Sequence, residues 1–377
     1  MAPPDLPTKM KAIQVTTYKQ PYEIRDVDLP SDLQSTDLLV KVAVASNCHT
    51  DSMVQQGVFG SPLPQTASHE GAGTVVAVGG AEAEKRGFKV GDRVMIGLGV
   101  YLREEPLHPC GTCRDCTGPE TQTQYCPNIT GHLGVTTHGC FADYVKADSR
   151  STTPLPNAVS FLSAAPLACA GRTVWRSILQ AGLQKGQWLC FVGSGGGLGH
   201  LGVQFAKALG LKVIGIDARD EGIALTKEYG ADVVVDARQG KEEAVKAVQE
   251  VTKGEGADAT VCISDAPTAA GLACAVTRMH GTMVQIAQPD EVVIPFPELI
   301  FRDIRIKGSL ICSEEESREM LKCIAEHGVT AKTVPFKGLD KIGELVELVH
   351  GGKIQGKAVI VVDEKQIEEE KKLGAKF

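Results

Sequence analysis

Between Trp188 and Asp217 the chain spells out one folding unit. Trp188-Leu-Cys-Phe-Val192 is an apolar run of strand length, and Gly193-Ser-Gly-Gly-Gly-Leu-Gly199 follows it. His200 to Leu209 then carries apolar residues at helical spacing, and Lys212-Val-Ile-Gly-Ile-Asp217 is a second strand that ends in an acid. Strand, glycine turn, helix, strand and acid is the order of a dinucleotide-binding unit. Glycines let the backbone approach a pyrophosphate, and the helix N-terminus favours its charge. The turn reads as Gly193-x-x-Gly196-Gly197-x-Gly199, with Leu198 between the last two glycines, one residue longer than the strict Gly-x-Gly-x-x-Gly form. Asp217 falls 18 residues after Gly199, where a carboxylate can accept from ribose hydroxyls.

The alternation continues. Helical spacing over 221–230, 241–252 and 267–279 alternates with strands at 232–236, 259–263 and 282–287. This predicts an α/β fold with a doubly wound parallel sheet. The first 150 residues are different in kind: short β-rich runs such as Leu38–Val44 and Gly73–Val78, broken by Gly and Pro, predict a β-rich domain. Glu364–Lys372 is a charge run, read as a solvated helix or a frayed end.

Cys110-Gly-Thr-Cys113-Arg-Asp-Cys116, with Cys126 nearby, has the spacing of a four-thiolate zinc site that leaves no open position, so its metal is structural. The competing readings are disulfides, which need an oxidising compartment, and scattered core cysteines. The N-terminus Met1–Met10 has no apolar signal region, and no apolar run in the chain is long enough to span a membrane, so a cytoplasmic location is expected. A formal net charge of −7 argues against a nucleic-acid surface. A second cluster, Cys48-His49-Thr50-Asp51 with His69-Glu70 downstream, suggests a mixed-ligand metal site, but spacing does not supply a third ligand. Cys169, in Ala165-Pro-Leu-Ala-Cys-Ala-Gly171, reads by itself as a core cysteine.

Taken together, Cys48-His-Thr-Asp51, Ser68-His-Glu-Gly-Ala-Gly73, Gly91-Asp-Arg-Val94, the four-cysteine lobe, Ala165–Gly171 with Thr173, and Gly196-Gly-Leu-Gly199 resemble the zinc-dependent alcohol dehydrogenases of the medium-chain dehydrogenase/reductase superfamily, in the yeast-type pattern. The resemblance runs from about residue 10 to Asp363. It implies a GroES-like catalytic domain at 1–170 and 311–377, a Rossmann domain at 171–310, two zinc ions per chain, NAD as cofactor with NADP as the variant, an alcohol, aldehyde or ketone substrate, and a homodimer or homotetramer. Cys48, His69 and Cys169 match the catalytic zinc ligands, with a fourth position for water or substrate oxygen. Thr50 matches the hydroxyl that receives the substrate proton, Asp51 the carboxylate that orients His69, and Glu70 an acid that visits the metal when ligands exchange. His49 and Lys357 match contacts to the cofactor pyrophosphate, and Thr173 a contact beside the nicotinamide.

The departures carry information. Met53 stands where the yeast-type pattern has a histidine that passes the proton to solvent, so the relay is interrupted beyond Thr50. Phe59 and Leu98 stand where two tryptophans narrow the pocket, which predicts substrates bulkier than ethanol. Nine residues separate Cys116 from Cys126 where seven are usual, and the approach 97–109 is longer too, which is expected to alter a surface loop. Gly222 replaces a lysine near Asp217, with Arg219 close by. Asp217 would repel a 2′-phosphate, so NAD is expected. A dedicated biosynthetic carbonyl reductase is the alternative within the same chemistry. A zinc-free quinone or enoyl reductase is the alternative outside it.

Overall fold

The structure, a computed structural model, describes residues 6–100, 110, 112–118, 122–129 and 131–377. The chain divides into two compact units, Met1–Cys169 with Ser313–Phe377, and Ala170–Cys312.

The first unit is built on a seven-stranded sheet. Its path runs Thr153–Pro154, Arg93–Ile96, Glu70–Val78, Asp37–Ser46, Lys357–Val361 and Thr333–Lys337, and Tyr144–Asp148 also pairs with Asp37–Ser46. All pairings are antiparallel except that of the last two strands on the path. Asp37–Ser46 is buried along nearly its whole length, because both of its faces are covered. Leu38, Val40 and Val42, alternate residues on one face, share a core with Ile13, Val94 and Phe141. The helix Phe161–Pro166 also packs on Asp37–Ser46 and on Glu70–Val78. Gly73 permits close approach of these two strands: a Cβ there would lie 2.1 Å from the Lys41 carbonyl oxygen. A smaller sheet pairs Lys9–Val15 with Glu23–Asp28 on one side and Gln65–Thr66 on the other, both antiparallel.

The second unit is a six-stranded, all-parallel sheet in the order Val233–Asp236, Lys212–Asp217, Trp188–Val192, Ala257–Cys262, Thr277–Gln285, Arg305–Gly308. Strand order reverses at Trp188–Val192, which places a ligand crevice beyond the carboxyl ends of the central strands. Val192, Ile214 and Ile216 bury against helix residues such as Ala244, Val248 and Ala273. The predicted helix over 267–279 is shorter, Ala269–Val276, since Thr277 is already extended (φ −77°, ψ 140°) and starts the next strand, pairing with Ala257.

The charge run Glu364–Lys372 is not a solvated end. Glu364–Lys371 is a helix whose Gln366, Ile367 and Glu370 are buried against the first unit. Seven charges in nine residues mask one buried stripe at i, i+1 and i+4. Among the described residues no helix is long and apolar enough to cross a membrane.

Candidate metal centre and dinucleotide crevice

Cys48 caps the helix His49–Gln56 from an extended backbone (φ −127°, ψ 161°). Asp51, three residues on and fully buried, accepts from the Cys48 N–H at 2.8 Å through one oxygen and from the Ser68 N–H at 2.9 Å through the other. One carboxylate thus binds the two turns that carry Cys48 and His69. Ser68 holds a left-handed φ of 69°, and its hydroxyl donates to the Ser46 carbonyl at 2.9 Å. This strained corner turns His69 inward as the strand Glu70–Val78 begins. Cys169 arrives from a third direction. Pro166 ends the helix Phe161–Pro166, and the chain widens into a π turn, Leu167–Gly171, with Cys169 at its centre.

These three segments bring donor atoms of Cys48, His69, Glu70 and Cys169 within 4.8 Å of one another. His69 Nδ1 is buried and has no protein partner. Two half-buried thiols and a buried imidazole form a borderline-soft donor set, and the residues fit a zinc ion. The electrostatics agree with a site built to hold a cation. The Cys169 thiol donates to Cys48 and holds Cys48 well below the ordinary thiol range, while Cys169 itself is held well above it. Burial lowers the His69 pKa, but the Cys48 hydrogen bond and the charges of Cys48, Asp51 and Glu70 outweigh it, lifting it to about 9. Burial pushes Glu70 up to about 7 against the pull of Lys357.

Thr50 is half-buried, its hydroxyl oxygen 3.8 Å from Cys48 Sγ. His49 is exposed at the first residue of its helix. Lys357, expected on a cofactor pyrophosphate, is buried, with its ammonium 2.8 and 3.0 Å from the two Glu70 oxygens. Burial opposes its charge, but Glu70 and the nearby Cys48 raise its pKa above the ordinary lysine value. Here it neutralises an acid of the metal cluster. Asp51 likewise spends both oxygens on backbone N–H groups, and no hydrogen bond to it from the His69 ring is present among the described residues. Phe59 is exposed beyond the end of its helix. Leu98 is half-buried, its carbonyl accepting from the Leu133 N–H at 2.8 Å. Sequence reading passed over His132, whose pKa is depressed by burial and by the charge of His69. The two-residue strand Gly131–His132 carries no pattern that would have marked it.

The lobe cysteines form the second cluster. Sulfur separations are 3.8 Å for Cys110–Cys116, 3.4 Å for Cys113–Cys116 and 3.9 Å for Cys113–Cys126. Four thiolates around a tetrahedral zinc with bonds of about 2.3 Å sit about 3.8 Å apart. All twelve cysteines are thiols. The lengthened approach at 101–109 and residues 119–121 of the lobe lie outside the described residues.

In the second unit a cavity of about 820 Å³ is lined by Gly193, Gly196, Gly197, Leu198, Asp217 and Arg219, among others. Gly193 has φ 94°, and a Cβ at Gly199 would stand 2.4 Å from the Gly193 carbonyl oxygen, so the turn tolerates no side chain there. Asp217 accepts from the N–H groups of Gly195 (2.9 Å), Ala218 (2.9 Å) and Arg219 (3.0 Å). Its carboxylate therefore ties the glycine turn to the end of the next strand and keeps acceptor capacity toward the cavity. Gly222 is required beside it, since a Cβ there would meet an Asp217 oxygen at 2.3 Å. Arg219 reaches the Gly195 carbonyl at 3.3 Å and lies 3.5 Å from Asp217. Thr173 is half-buried in the helix Arg172–Ala181 of this unit.

Residues 34–157 match the alcohol dehydrogenase GroES-like domain, and residues 197–326 match the zinc-binding dehydrogenase family. An alcohol dehydrogenase of Geobacillus stearothermophilus is 33% identical over 360 residues, covering 94% of this chain and all of the relative. Among solved structures, the alcohol dehydrogenase of the hyperthermophilic archaeon Aeropyrum pernix is 30% identical with a TM-score of 0.81, covering 93% of this chain and 99% of its own. A cinnamyl alcohol dehydrogenase from Sorghum bicolor is 26% identical with a TM-score of 0.79, covering 94% and 97%. With both domain families matched and a relative at that identity spanning nearly the whole chain, this chain belongs to the zinc-binding alcohol dehydrogenases of the medium-chain dehydrogenase/reductase superfamily.

Proposed function

We propose that this chain interconverts alcohols and carbonyl compounds with NAD(H), using a catalytic zinc at Cys48, His69 and Cys169 and a structural zinc at Cys110, Cys113, Cys116 and Cys126. The observation that carries the reading is the convergence of Cys48, His69 and Cys169 from three separate segments into one donor cluster, with His69 buried and both cysteines half-buried. When bound, zinc supplies Lewis acidity at the substrate oxygen, and the nicotinamide accepts or returns the hydride. Two thiolates and a neutral imidazole compensate the charge of a divalent ion. Thr50 takes the hydroxyl proton of the substrate, and Met53, half-buried on the same helix, has no group to pass it on. Lys357 pairs with Glu70 beside the ligands and offsets the charge of its carboxylate. Asp217 sits at the crevice where a ribose lies and repels a 2′-phosphate, which favours NAD.

The absence of tryptophan at Phe59 and Leu98 supports a pocket for substrates larger than ethanol, and the likeness to a cinnamyl alcohol dehydrogenase agrees with it. The twelve thiols suit a reducing compartment, and the cytoplasm is the proposed location. The edge strand Arg305–Gly308 of the parallel sheet is exposed along its length, and Val293, Phe296, Ile300 and Phe301 are exposed beside it in sequence. An open edge with an apolar surround supports a homodimer through this edge. The test is zinc content together with initial rates of NADH oxidation across aldehydes graded from ethanal to bulky aromatics. Two zinc ions per chain and efficiency rising with size are expected. Zinc-loaded protein that turns over none of them would favour a dedicated biosynthetic reductase.

A further inference from the structure

We propose that Glu370 is a positioning residue for the Cys169 ligand, and that the helix Glu364–Lys371 clamps together the three elements whose ends carry the metal cluster. The inference rests on the assignment of Cys169 to that cluster.

The helix Phe161–Pro166 leads directly into the π turn that holds Cys169. Its first N–H groups need acceptors from outside the helix. Ser160 supplies one, accepting from Ser163 N–H at 3.2 Å. The Phe161 N–H has no acceptor of that kind and instead donates to both oxygens of Glu370, at 3.0 and 2.8 Å. A carboxylate from a helix two hundred residues downstream therefore caps this one and meets the positive end of its dipole. Glu370 is 1% exposed and is held in turn by Arg93, with which it forms an ion pair. Arg93 also donates to the carbonyls of Pro156 (3.2 Å) and Val159 (2.6 Å), and its guanidinium lies 4.5 Å from the centre of the Phe161 ring. The entry into the Cys169 helix is thus fixed at its N–H, at its ring and at the two carbonyls before it. All of these bonds pass through Glu370 or its partner.

The same helix grips the other two ligand-bearing strands. Gln366 donates to the Lys41 and Val42 carbonyls, both at 3.3 Å, on Asp37–Ser46, the strand that ends two residues before Cys48. Its side-chain oxygen accepts from the Thr74 hydroxyl at 2.7 Å on Glu70–Val78, the strand that starts one residue after His69. Asp363, the helix cap, pairs with Lys41 at 2.6 Å. Cys48, His69 and Cys169 lie far apart in sequence, so their mutual geometry depends on how three elements are locked to one another. Asp51 does this within the cluster for the first two. The Glu364–Lys371 helix holds hydrogen bonds to all three, and Glu370 is its bond to the third.

The test is the rate at which a chromophoric chelator strips zinc from the full chain. The equivalent that belongs to the cluster is assigned by its absence in Cys169→Ser. Glu370→Ala should lose that equivalent at least tenfold faster than the parent and leave the other zinc and NADH affinity unchanged. Glu370→Gln keeps one acceptor oxygen for the Phe161 N–H and should fall nearer the parent than Glu370→Ala. Leu345→Ala opens a cavity elsewhere in the same unit and should lower thermal stability without speeding release. Release from Glu370→Ala at the parent rate would overturn the proposal, as would equal acceleration in Leu345→Ala. A parent with no equivalent that depends on Cys169 would instead overturn the metal assignment on which the inference rests.

Discussion

Replacing Asp51 by Asn separates two ways in which this carboxylate could serve the metal centre. In the structure each oxygen accepts one backbone N–H, from Cys48 and from Ser68. Asparagine offers one acceptor and one donor to two donors, so one buried N–H loses its partner and faces another N–H. An unsatisfied buried donor costs about 1–3 kcal/mol, and the lost bond was to a charged group, worth about 1.5–3 kcal/mol. Relief of a fully buried charge offsets part of this, since burial is the first cause that raises the Asp51 pKa. A net loss of about 3 kcal/mol follows. For a unit of this size, each kcal/mol shifts Tm by about 2–4 °C, so a fall of about 6–12 °C is expected. The assay is thermal unfolding of parent and variant with and without a zinc chelator. A carboxylate that joins two turns stabilises the fold with or without metal, so both pairs should differ by a similar amount. If the variant matched the parent in chelator and lost stability only when zinc-loaded, Asp51 would be acting through the His69 ring and not as the tie between the two turns.

Four other outcomes are expected. Asp363 is held below its ordinary pKa by Lys41, by two further hydrogen-bond donors and against the opposing effect of its burial, so its contribution is present above the ordinary carboxylate value and fades as pH falls through the lowered one. Asp363→Asn should therefore cost about 0.5–1 kcal/mol in urea unfolding at pH 7, with the difference from the parent closing as the pH falls below the ordinary carboxylate range; a gap that widened in acid would contradict the sign. Gly222→Ala forces a methyl to within 2.3 Å of an Asp217 oxygen and should weaken NADH binding about tenfold, roughly 1.4 kcal/mol, by fluorescence titration; an unchanged Kd would show that Asp217 does not hold the cofactor. Phe59→Trp should cut kcat/KM for aromatic aldehydes several-fold more than for ethanal, whereas equal losses would place Phe59 away from the substrate. Ile300→Glu puts a charge on the exposed apolar segment by the sheet edge and should convert dimer to monomer in sedimentation; a dimer that survived it would have to assemble elsewhere.

What could be read without coordinates was whatever is local. The glycine turn and Asp217 belong to consecutive elements of one right-handed unit, so order along the chain already fixes their neighbourhood in space. The lobe cysteines Cys110, Cys113 and Cys116 are likewise brought together by a single short turn. Cys169 had no local signal: a cysteine after a proline in an apolar run is ordinary until Phe161–Pro166 packs on the strand that leads to Cys48 and the strand that follows His69. Lys357 was named from a resemblance, yet only the pairing of Lys357–Val361 with Asp37–Ser46 puts its ammonium on Glu70. Glu370 sat inside a run of charges that composition alone assigns to solvent. Its burial is decided by partners at positions 93 and 161, and pairings over such separations are set by the packing of a completed sheet, which no pattern along the chain encodes.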